Sequence, residues 1–174
     1  MTSVPIRAAL PISRRSFALG LGLFTAGCAK AAVDDCHNWP TKVLFICQAG
    51  TVKSPVAREL CKRRAAERGL KIVVNARGIT PEEHMSPKLL AAAKADGIDP
   101  KTEPVQALTI DDMRAADVVI YFDRPPSIWA VPNALDWTDV PSMNDDYTGT
   151  RATILARSED VMDRLDAKPC KGST

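Results

Sequence analysis

The chain has 174 residues, 45% of them hydrophobic and 25% charged, with a formal net charge of +2. That length and balance suit one globular domain with its own core, and the chain shows neither internal repeat nor low-complexity tract. Three of the 23 Lys+Arg residues, Arg7, Arg14 and Arg15, fall in residues 1–27, which hold no acid; the rest carries 20 basic against 21 acidic residues, net −1. A near-neutral body gives no electrostatic case for nucleic acid as a partner.

The chain opens on a basic stretch, SRRSF (Ser13 to Phe17), followed by ALGLGLFTAG (Ala18 to Gly27) and Cys28. A basic region before a short apolar run predicts an export signal over 1–27, and the arginine pair resembles a twin-arginine signal. The apolar run is about half of what a membrane-spanning helix requires. TAGC (Thr25 to Cys28) resembles a lipoprotein cleavage box, and AKA (Ala29 to Ala31) offers a second cut. The expected location is therefore periplasmic, with membrane attachment only through a lipid anchor at Cys28. Without Cys28, four cysteines remain (Cys36, Cys47, Cys61 and Cys170), and an oxidising compartment would let Cys36 and Cys170 tie the two ends together.

Residues 28–41 read as a linker, 42–166 as an α/β domain and 167–174 as a tail. KVLFI (Lys42 to Ile46) reads as a buried strand. Ser54 to Arg68 reads as a helix with Ser54 as N-cap, Pro55 at its first position and Gly69 past its end. In that helix Cys61 lies four residues from Ala57 and from Ala65, on an apolar stripe, so a buried thiol is expected. A strand over Leu70–Ala76 and a helix over Ser86–Gly97 follow. Thr109–Ala116 should be a short helix opened by a Thr109/Asp112 capping pair. Strands over Asp117–Phe122 and Asn133–Trp137 and a last helix over Thr150–Leu165 complete the order. Alternating strands and helices predict a three-layer α/β fold, an open sheet of about four parallel strands with helices on both faces. Ligands bind such sheets beyond the carboxyl ends of the strands.

At one such end stands CQAGTVKS (Cys47 to Ser54), a strand running into a cysteine, a short loop and a helix start. Backbone N–H groups there converge on one spot, and the helix dipole favours negative charge, an oxyanion's or a thiolate's. Thiolate plus anion cradle is what a phosphocysteine mechanism requires. VLFICQAGTVKSP resembles the signature of the low-molecular-weight protein tyrosine phosphatases, a strand followed by C-x5-R-S-P. The resemblance extends over Lys42 to Leu165 and includes VAREL, the strand before Gly78, GID (Gly97 to Asp99) and ADVVIYFD (Ala116 to Asp123). It implies flavodoxin-like winding and a phosphate-bearing substrate, either a phosphoprotein or a small phosphoester, and no cofactor. The same fold houses arsenate reductases that use a cysteine in this loop.

The resemblance implies Cys47 as nucleophile, Lys53 and the amides of Gln48, Ala49, Gly50, Thr51 and Val52 as oxyanion holders, and Ser54 as support for the thiolate. The family arginine is Lys53 here, which replaces a planar two-point fork by a flexible point charge. Gly50 stands where the family loop has Asn and can take the same positive φ. The family Asp-Pro acid falls in WTDVPSMNDDY (Trp137 to Tyr147), where aligning Val140-Pro141 puts Ser142 at the aspartate's place. Asp139, Asp145 and Asp146 are nearby, and Asp145 is the expected general acid, against a role for all three as loop or cap acids. Arg77 and Arg124, each just past a strand end, are candidates to restore the lost fork, against a plain surface role. Asp123 matches an acid common at that spot in the family. Trp129 and Trp137 either line a substrate slot or pack in the core. No metal site is expected, because His37 and His84 share no metal-type spacing with the cysteines. GTVKS lacks the glycines of a nucleotide-binding P-loop. The readings are thus a weakly active phosphatase, a catalytically impaired oxyanion-binding module, and a thiol-dependent arsenate reductase.

Overall fold

Val43 to Ile46 is buried without exception, and its side chains alternate between two separate apolar clusters. Val43 and Phe45 point into one cluster with Val56, Leu60, Ile154 and Met162, while Leu44 and Ile46 point into another with Leu108, Met113 and Val119. A strand buried on both faces is the centre of a sheet with helices on both sides, which explains its continuous apolar run. The computed structural model describes residues 40–132 and 134–166. The expected export signal over 1–27, Cys28, Cys36, His37 and Cys170 lie outside the described residues.

The elements run β1 (Thr41–Cys47), α1 (Lys53–Glu67), β2 (Ile72–Gly78), α2 (Pro87–Ala95), α3 (Ile110–Ala115), β3 (Val118–Tyr121), a 3-10 turn (Ser127–Trp129), β4 (Ala134–Asp136) and α4 (Tyr147–Asp166). The four strands pair in parallel in the order β2-β1-β3-β4, the expected winding. The capping box at Thr109 and Asp112 is present, and Ser86 caps α2 by accepting from the Leu89 N–H. Gly69 and Gly97 follow α1 and α2 with φ of 69° and 68°, the left-handed stop that glycine adopts without strain.

Two element starts differ from expectation. α1 begins at Lys53 with Val52 in the cap position, so Ser54 is not its N-cap. The Ser54 side chain is turned inward and fully buried, which removes it from capping. α4 begins at Tyr147, three residues before Thr150, because the Asp146 carboxylate accepts from the Gly149 N–H (2.9 Å) and closes an extra turn.

Candidate active site

β1 ends at Cys47 and pairs in register with Gly78, the last residue of β2. The segment after β2 then runs along the loop after β1. Ile79 N–H donates to the Cys47 carbonyl (3.0 Å), Thr80 N–H to Gln48 (2.8 Å) and Glu82 N–H to Ala49 (3.0 Å). The Gln48 amide adds a bond to the Thr80 hydroxyl (3.1 Å). These bonds occupy the loop's carbonyls on its outer side. Val52, Lys53 and Ser54 open α1, so their N–H groups have no intrahelical acceptor.

The loop's shape rests on two glycines. Gly50 has φ +71°, and a Cβ there would lie 2.8 Å from the Gly78 backbone; a Cβ on Gly78 would lie 2.9 Å from Ala49 C and O. The two backbones therefore touch where side chains would block them. Gly50 performs the turn expected of it.

Cys47 is buried at the base of a cleft of about 220 Å³ lined by Gln48, Ala49, Thr51, Val52, Lys53, Asp123, Ser142, Met143 and Asn144 as well. Such a space is ample for a phosphoryl group. The Cys47 sulfur lies 3.1 Å from the Ser54 hydroxyl, whose oxygen is 3.3 Å from the Arg77 carbonyl. A hydroxyl has one proton and two acceptor sites. Beside a thiol it can donate to Arg77 O and accept from S–H; beside a thiolate it rotates to donate to sulfur.

Lys53 enters the cleft with its side chain 18% exposed, 3.8 Å from Asp123 Oδ2 and 5.5 Å above the Phe122 ring. Phe122 belongs to a buried trio with Phe45 and Trp137, whose ring centroids are 5.7–6.2 Å apart. The ammonium is thus held by a carboxylate and a ring face. Asp123 Oδ2 also accepts from the Gln48 N–H at 2.9 Å.

Neither candidate arginine enters the cradle. Arg77 Nε and Nη2 clamp Asp112 at 3.0 and 2.9 Å. Burial raises the Asp112 carboxyl, but hydrogen bonds from Thr109 and Arg77 outweigh it and hold the group below the usual carboxylate range. Arg124 is bound to Asp136 at 2.6 Å; the Thr138 hydroxyl and amide, together with Arg124, hold Asp136 down to about 2. Trp129 and Trp137 do not line the cleft and are packing residues, Trp129 against one core cluster and Trp137 within the other.

The loop after β4 supplies Ser142, Met143 and Asn144 to the far wall. Asp139 is clamped by both nitrogens of the Arg157 fork, and Asp146 caps α4. Asp145 is exposed next to Asn144, outside the cleft lining. Cys61 is fully buried in the core, as expected from its stripe, and burial pushes its thiol up to about 12. Sequence reasoning missed the commitment of Asp123 to Lys53 and Gln48. Its only signal was a Phe-Asp pair at the carboxyl end of a central strand.

The family model for low molecular weight phosphotyrosine protein phosphatases matches residues 42–130. No curated protein sequence matches the chain. Among solved structures, a YwlE mutant from Bacillus subtilis is similar at 19% identity and TM-score 0.62, over 72% of this chain and 99% of that one. The tyrosine phosphatase Wzb from Escherichia coli K30, in complex with sulphate, is similar at 15% identity and TM-score 0.57, over 73% and 99%. A thioredoxin-dependent arsenate reductase from Corynebacterium glutamicum is similar at 25% identity and TM-score 0.59, over 73% of this chain and 62% of that one.

Proposed function

Since the chain belongs to the low-molecular-weight phosphotyrosine protein phosphatase family, we propose that it hydrolyses phosphomonoesters through a phosphocysteine on Cys47, with weak activity. The observation that carries this reading is the Cys47 sulfur at the base of a cleft beside a helix N-terminus, 3.1 Å from the Ser54 hydroxyl. In the first step the thiolate attacks phosphorus in line; the S–P bond forms as the bond to the leaving oxygen breaks. The loop amides and Lys53 hold the equatorial oxygens, and Ser54 supports the thiolate before attack. Asp145 protonates the leaving oxygen, since Asp139 and Asp146 are committed elsewhere. This route requires the loop holding Ser142 to Asn144 to bring Asp145 over the substrate, since its carboxylate stands outside the cleft lining. Water then attacks phosphorus as the S–P bond breaks and its electron pair returns to the Cys47 thiolate; the Asp145 carboxylate takes one proton from the water, and phosphate leaves.

One observation favours a second reading, an oxyanion-binding module without turnover. Among the described residues Lys53 is the only cation lining the cleft, and it is paired with Asp123. A thiol reductase is supported less, because the only other described thiol, Cys61, is buried. The SRRSF signal and Cys28 support action outside the cytoplasmic membrane, on a phosphoprotein or a small phosphoester.

The test is hydrolysis of an aryl phosphate under reducing conditions, beside Cys47→Ser. Turnover that vanishes in the variant supports the phosphocysteine route. Folded protein that binds phosphate without turnover would replace it by the binding module.

A further inference from the structure

We propose that oxyanion binding in this cleft is coupled to uptake of one proton by Asp123, which makes Asp123 a proton-linked positioning residue for Lys53 and the Gln48 amide. This inference rests on reading the loop as an oxyanion cradle and specifies how that cradle loads.

The argument begins with charge. The charged side chains lining the cleft are Lys53 and Asp123, 3.8 Å apart, and they cancel. Asp123 also holds a donor that the cradle would offer a ligand. Its Oδ2 accepts from Gln48 N–H, the first amide after the nucleophile. The carboxylate therefore holds one cradle donor and the cradle's cation together, as an internal anion would.

A dianion entering this site meets no net positive charge and a competing carboxylate. Protonation of Asp123 removes both obstacles. The site gains one net positive charge, Lys53 and Gln48 N–H turn to the ligand, and the new O–H becomes a donor to it. The proton comes from solvent, since Asp123 is 38% exposed.

Among the described residues, the elements around the cleft offer no other free charge for this role. The loop after β1 presents the Gln48 amide and the Cys47 sulfur, and α1 presents Lys53. The loop after β4 presents neutral Ser142, Met143 and Asn144. Arg124, next in the chain, is bound to Asp136, and Arg77 behind the loop is bound to Asp112.

Sulfate is the probe, because it stays a dianion across the pH range that matters. Its affinity is measured by calorimetry on the full chain carrying Cys47→Ser, which removes the thiol's own titration, between about pH 4 and pH 8. The same series is run on Cys47→Ser with Asp123→Asn, whose amide oxygen can still accept from Gln48 N–H. Expected for the first is a loss of up to roughly tenfold in affinity per unit rise in pH, the slope of one proton taken up with the ligand. Expected for the second is a flat profile, tighter by at least about tenfold near pH 8. Equal slopes in the two proteins would overturn the proposal. So would a flat profile in Cys47→Ser alone, whatever the state of the double variant. Absence of sulfate binding at every pH would remove the cradle and the phosphatase reading with it, whereas binding without an Asp123-dependent slope would remove only the coupling.

Discussion

Lys53→Arg should raise kcat for an aryl phosphate by about 10²–10³. The magnitude follows from what Lys53 offers. Its single nitrogen rests 3.8 Å from Asp123 and 5.5 Å above the Phe122 ring, and once turned to the ligand it offers the phosphoryl oxygens one point of contact. A guanidinium at the same helix start has five donors in a rigid fork. It can grip two equatorial oxygens at once where the ammonium offers one point of contact. A charge-assisted bond gained only as charge spreads in the transition state is worth about 3–4 kcal/mol in a dry site, which converts to that rate factor. The assay is steady-state hydrolysis under reducing conditions, with kcat separated from KM, beside sulfate affinity as a control for loop shape. The expected pattern is a large gain in kcat and a small change in KM. An unchanged kcat in a variant that still binds sulfate would refute the reasoning, and would place the missing chemistry in the acid loop instead.

Asp145→Asn should lower kcat about a hundredfold for a poor leaving group and much less for an activated aryl phosphate, which needs no proton; equal losses for both would remove it as the acid. Gly78→Ala should weaken sulfate binding more than about tenfold, because its Cβ would lie 2.9 Å from Ala49 C and O and push the loop outward; calorimetry beside a thermal melt separates a displaced loop from global unfolding. Stability should fall in acid through Asp112. Its folded pKa lies below the unfolded value near 4, so its contribution is complete above that value and is lost as pH drops through the folded one. Denaturant midpoints measured down that range should fall less steeply in Asp112→Asn, and identical slopes would contradict the assignment.

The sheet was readable because its centre has no polar option. VLFI buries every side chain, and only a strand with helices on both faces accommodates that. The Thr109/Asp112 box and the glycine stops were readable because each is a local bond or a local φ. The start of α1 was not. Ser54 before Pro55 has the form of a cap, but a serine seven residues from a buried sulfur has a competing partner, visible only once β1 and α1 are folded together. The arginines failed for the same reason. Arg77 and Arg124 sit at strand ends in the sequence, yet their directions depend on Asp112 and Asp136, 35 and 12 residues further on. Long-range charge pairing leaves no periodic mark.

What separates catalysis from binding here is therefore charge and not shape. Gly50 at positive φ, its backbone contact with Gly78, the three amide bonds from residues 79–82 and the inward Ser54 all fix the loop without using Lys53. A loop so constrained presents its amides whether or not an arginine follows. Ground-state oxyanion binding needs those amides and one positive charge, which protonated Asp123 would release. Turnover needs more, a second contact made only in the transition state and a proton for the leaving oxygen. On the proposed route a lysine supplies the first with a single nitrogen, and with Ser142 at the place of the family acid the second is left to Asp145. Both losses fall on kcat, so affinity for oxyanions should survive even where the rate is low.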